Sequence, residues 1–217
     1  MALSTRYTQI SARLARRRMQ ANTIFLDHAN SALTPWKFRF LSESLLSNIW
    51  IDWNNFVRDI FIESCNGTIT RHGTVIPPRA VADNCPERIC YEVRQLASGN
   101  NVQAGKIYSG TQDPTWANPD KIITCITGLA PANATTLQQA FGAGNLVGHK
   151  RIHLVRNACA HKSRLNRAGI KALTIIYPTN HFYDPVDIIW GTNASTKSIA
   201  IFEWISDLET MADLATE

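Results

Sequence analysis

Between residues 149 and 164 the chain reads HKRIHLVRNACAHKSR. Its polar members suit work on a phosphodiester: guanidinium donors, an amide, and imidazoles that trade protons near neutral pH. Laid on a helix, Ile152, Val155 and Cys159 form a narrow apolar stripe. His149, His153, Asn157 and His161 recur every fourth residue on a second stripe, and Arg156 lies beside it. On a straight helix Arg156 and His161 would differ by about 140° in azimuth and about 7.5 Å in height. A site using both therefore needs a helix end between them, long side-chain reach, or a second copy of the helix across a symmetry axis.

The chemistry these groups fit is cleavage of RNA without a metal. The neighbouring 2′-OH is the nucleophile, a histidine takes its proton, and an arginine fork meets the negative charge that gathers on the phosphate. Asn157 would orient His161 or the phosphate. His149 and His153 also have the spacing of half a helical zinc site, but Lys150 and Arg151 follow His149 where HExxH has a glutamate, and they repel a cation. The five cysteines are odd in number and form no CxxC, so neither a thiolate zinc site nor a disulfide framework is expected. No metal and no cofactor is implied.

A helical scaffold must carry this segment. Apolar residues recur at helical spacing over 3–30, with Arg13, Arg16, Arg17 and Arg18 mostly off the stripe. Thr34 and Pro35 form a start signal for a second long helix, which runs to Asn66 or Gly67. Two such helices suggest an antiparallel bundle. Residues 67–145, rich in Gly, Pro, Asn and Thr, read as an irregular insertion with short helices at 86–96, from 118 onward and at 134–142. The β-rich runs KALTIIYP and VDIIW predict a small β-hairpin over about 171–190, and Ser195 or Thr196 caps a last helix. The fold class expected is mostly α, in one domain spanning 1–217. Most of the tryptophans fall on apolar stripes; Trp116, in the loop DPTWANP, is the exception and could stack a base or a partner.

With 217 residues, 45% of them hydrophobic, the chain can build a real core. Its net charge of +5 and pI of about 9.1 favour a polyanionic partner. Lys150, Arg151, Lys162 and Arg164, with Arg17 and Arg18 and the flanking His149 and His153, are the candidate RNA-binding residues. Arg58, Asp59 and Glu63, late in the second helix, are expected at the surface, though one carboxylate could steady Arg156. The first residues lack an apolar signal region and no stretch approaches the length needed to cross a bilayer, so a cytoplasmic protein that does not enter the membrane is expected.

RNACAH, residues 156–161, resembles the R-x4–6-H motif of the HEPN superfamily, in which a polar residue usually follows the arginine. With 15 Arg and 6 His, the bare pattern is expected by chance about 0.4 times in this chain, and requiring Asn after Arg lowers that to about 0.03. The resemblance implies a HEPN-like bundle with the motif on a late helix, and a homodimer in which two motifs share one cleft. It implies metal-independent endoribonuclease activity with Arg156, Asn157 and His161 as catalytic residues and a 2′,3′-cyclic phosphate product. It also implies a toxin paired with a cognate antitoxin, or an effector of phage defence. The competing expectation is a non-catalytic HEPN-like module that binds RNA or a protein. The insertion at 67–145 departs from a compact HEPN domain.

Overall fold

The computed structural model of the chain describes residues 2–81, 83–108, 113–161, 164–179 and 182–217, with residues 164–167 described by backbone alone. It is mostly helical. In chain order the elements are α1 (Leu3–Ala29), α2 (Pro35–Asn66), β1 (Thr68–Ile69), β2 (Val75–Ile76), α3 (Pro86–Ser98), α4 (Ile122–Leu129), α5 (Ala134–Gly142), α6 (Gly148–Ala160), α7 (Arg164–Ile176), a 3-10 helix (Pro185–Trp190) and α8 (Ala200–Ala215). Thr34 caps α2 as its sequence suggests, its hydroxyl accepting the Lys37 N–H at 3.3 Å. Gly67, at φ +82°, ends the helix, and a Cβ there would lie 2.7 Å from the Pro78 nitrogen. Among the described residues no helix is long and apolar enough to cross a membrane.

The chain packs as two compact units. The first comprises the chain's start to Ser11, Trp53–Leu146 and Thr210–Glu217. Its core gathers Trp53, Phe56, Phe61, Phe141 and Trp116 with Ile89, Val93 and Ile126. Trp116 is only 1% exposed and meets Phe61 edge-on, so this loop tryptophan is core and offers no stacking face. Arg6 pairs with Asp59 and Glu63 at 2.7 and 2.9 Å, and Arg58 pairs with Asp113 at 3.3 Å. These late residues of α2 thus serve the packing of this unit. Its irregular loops are tied to α3 by a buried cluster: Arg79 and Arg88 both bond the Glu92 carboxylate at 2.5 Å, and Arg88 also donates to the carbonyls of Gln103 and Lys106. β1 and β2 pair antiparallel, Thr68 with Ile76 and Ile69 with Val75.

The second unit comprises Ala12–Asp52 and Val147–Glu209. Within it α1 and α2 run antiparallel: Arg17 bonds Asp52 at 2.8 Å, while His28 stacks on Phe38. α7 packs on α6 where Gly169 makes room, since a Cβ there would lie 2.8 Å from Leu154.

The hairpin expected over about 171–190 is not formed. Residues up to Ile176 belong to α7, and Pro185–Trp190 is a 3-10 helix. Two facts explain this. Ile170, Leu173 and Tyr177 are buried at i, i+3 and i+7, a helical period that outweighs the β-branched pair Ile175–Ile176, which is left exposed. In the second run Asp184 caps, Pro185 opens the helix, and the Asp187 carboxylate accepts the N–H groups of Tyr183 and Asp184. The only strand ladder among the described residues lies at 68–76, at the start of the segment expected to be an insertion.

Candidate active site on helix α6

α6 begins in close contact with α8. A Cβ on Gly148 would lie 2.6 Å from the Trp204 carbonyl oxygen, so only glycine allows this approach. Asp207 then caps the helix from α8, its Oδ2 accepting the N–H groups of Val147 at 3.0 Å and Gly148 at 2.8 Å. Burial pushes the Asp207 carboxyl above the usual range, opposed by those two hydrogen bonds. Ile152, Val155 and Ala158 face the core.

The helix ends at Ala160. His161 leaves it with extended backbone (φ −135°, ψ 102°), its N–H bonded to the Asn157 carbonyl at 2.7 Å. A helix end therefore separates Arg156 from His161, the first of the three conditions that their spacing requires. The His161 side chain is exposed and Arg156 and Asn157 are half-buried.

Asn157 is the hub. Arg156 Nη1 donates to its Oδ1 at 3.1 Å, and its Nδ2 lies 2.9 Å from His153 Nε2. Arginine only donates, so Oδ1 must face it, and the amide NH2 is left to donate to His153. His153 Nε2 then accepts that amide N–H with its ring lone pair. The ring is steadied by Trp50 of α2, with centroids 4.8 Å apart. Trp50 has no signature in the sequence beyond one more apolar residue on α2.

Of the other expected RNA-binding residues, those that are described do not all reach the surface. His149 is 0% exposed, buried by the close approach at Gly148, and cannot touch RNA from there. Arg151 is spent inside the fold: it donates to the Tyr177 hydroxyl, lies over that ring at 5.0 Å, and faces Glu203 at 3.9 Å. Arg17 is held by Asp52 and Gln20, and Arg18 by Glu209 at 2.7 Å and Ser206 at 3.1 Å. Lys150 is exposed. Lys162 and the Arg164 side chain lie outside the described residues. One group of possible metal donors, Glu43, Cys159 and Asp184, lies near the end of α6 with its ligand atoms within 4.8 Å of one another. The Asp184 carboxylate in it is already bonded to the Val186 N–H.

No family model, curated protein or solved structure matches this chain. Its function must be read from the side chains themselves.

Proposed function

We propose that this chain is a metal-independent endoribonuclease of the HEPN type, working as a homodimer with Arg156, Asn157 and His161 from both chains around one phosphodiester. Its role is that of a toxin held by an antitoxin or of a phage-defence effector. The observation that supports this reading furthest is the helix end at Ala160. There the backbone of His161 turns extended, while Asn157 holds the Arg156 guanidinium by its side chain and His161 by its backbone. The positive net charge suits an RNA substrate.

In the reaction one His161 takes the proton of the ribose 2′-OH, whose oxygen attacks phosphorus. Arg156 donates to the equatorial oxygens as they gain charge. The bond to the 5′-oxygen breaks, and the second His161 supplies the proton that this leaving group takes up. The products are a 2′,3′-cyclic phosphate and a 5′-hydroxyl.

The test is RNA cleavage by the purified chain in EDTA, with His161→Ala and Arg156→Ala alongside and the new ends identified chemically. Each variant should lose about two to four orders of magnitude. Unchanged cleavage in either variant ends the assignment. RNA binding without cleavage by the wild type would instead favour the non-catalytic module.

A further inference from the structure

The second unit holds an open cavity of about 510 Å3 between the end of α1, the start of α2 and the 3-10 helix. That is within the range of about 300–1,000 Å3 usual for small-molecule sites. One wall is an aromatic ladder. His28 stacks on Phe38 at 3.7 Å, Phe38 meets Trp190 at 5.5 Å, and Trp190 meets Phe25 at 6.0 Å. The ladder is fixed in place: Trp190 Nε1 donates to the Ser42 hydroxyl at 2.8 Å, and that hydroxyl donates to the Phe38 carbonyl.

Arg39 also lines the cavity. Its guanidinium lies over the Tyr183 ring at 5.5 Å and faces Asp187 at 3.8 Å, too long for a hydrogen bond. The Asp187 carboxylate is instead engaged by the N–H groups of Tyr183 and Asp184. Among the described residues no acceptor takes a hydrogen bond from Arg39, so its planar fork remains available to an anionic oxygen. Thr179 and Thr192 add hydroxyls to the same lining. A rigid aromatic wall beside a guanidinium that has one acidic neighbour at 3.8 Å but donates no hydrogen bond matches a planar ring that carries a charged oxygen group.

We propose that this cavity binds a single nucleotide, its base against the aromatic wall and its phosphate on Arg39. The nucleotide is either a free mononucleotide or one residue of an RNA strand. The proposal does not depend on cleavage at Arg156 and His161.

Binding to the full chain is measured by calorimetry. The probes are AMP, GMP, CMP and UMP, their nucleosides, inorganic phosphate, and a short 2′-O-methyl RNA that cannot be cut by 2′-OH attack. At least one mononucleotide or the RNA should bind saturably. Arg39→Gln should weaken that binding about tenfold, to the level of the nucleoside, and Tyr183→Ala, which removes the ring beneath that guanidinium, should weaken the nucleotide in the same direction and leave the nucleoside unchanged. Both side chains reach the surface. If Arg39→Gln lowers the melting temperature, Tyr183→Ala carries the comparison. Loss of mononucleotide binding in these variants identifies a free ligand, and loss confined to the RNA identifies a strand. Saturable binding by no probe, or wild-type affinity in both variants, overturns the proposal. His161→Ala should keep the wild-type affinity for the mononucleotide, which separates failure here from failure of the nuclease reading.

Discussion

Asn157 carries two interactions on one short side chain, holding Arg156 with its carbonyl oxygen and His153 with its amide nitrogen. It has no proton to exchange, so its contribution to cleavage is to position. Asn157→Ala should lower the rate by about tenfold, well short of the loss in His161→Ala, and single-turnover cleavage in EDTA measures the gap. Asp207 acts at the other end of the helix. Its carboxyl is raised by burial, so the stability that it contributes is complete below the ordinary carboxylate range and is lost as pH rises through the raised value. Both of its hydrogen bonds reach a single oxygen, which an amide can replace. Asp207→Asn should therefore be at least as stable as the wild type at pH 7, with the difference closing in acid. Asp207→Ala should lose about 1 kcal/mol. Urea titrations across pH check both.

At the scale of elements, α6 is positioned by the absence of a side chain. Any Cβ at Gly148 meets the Trp204 backbone, so Gly148→Ala should cost about 1–3 kcal/mol and separate α6 from α8, read as a lower denaturation midpoint and loss of the Asp207 cap. The same contact shows where sequence reading stops. The stripe His149, His153, Asn157, His161 is visible as a pattern, but burial along it depends on which turn α8 touches, and that contact is long-range. His149 is thus lost to the core while His161 stays exposed. α1 and α2 were legible because their apolar residues keep one period for many turns, and α2 has a Thr–Pro start. α7 was not, because Ile175 and Ile176 announce a strand while burial of Ile170, Leu173 and Tyr177 decides for a helix. The motif itself was legible, with a helix end as one of three ways for a site to use both its arginine and its histidine. The Trp50 support for His153 was not, since nothing in a sequence says which tryptophan of α2 faces α6.

For the whole molecule, net positive charge overstates the surface available to a polyanion. Arg6, Arg17, Arg18, Arg71, Arg79, Arg88 and Arg151 all have acidic partners inside the fold. If about three cations remain to meet phosphates, log affinity for single-stranded RNA should fall with log salt at a slope near −2, measured by titration at several salt concentrations; a slope near −6 would mean that the internal pairs open on binding. The second unit can also be followed by light. Tyr177 sits in the second, its phenol bonded to Glu203 and to the Trp204 indole, and burial holds its ionisation above that of a free tyrosine. The stability tied to that neutral phenol lasts until alkaline pH passes the raised value. Tyr177 should yield its phenolate absorbance at a higher pH than a free tyrosine does, and earlier once the surrounding unit opens. An alkaline titration would then report the melting of half of the protein with no label attached.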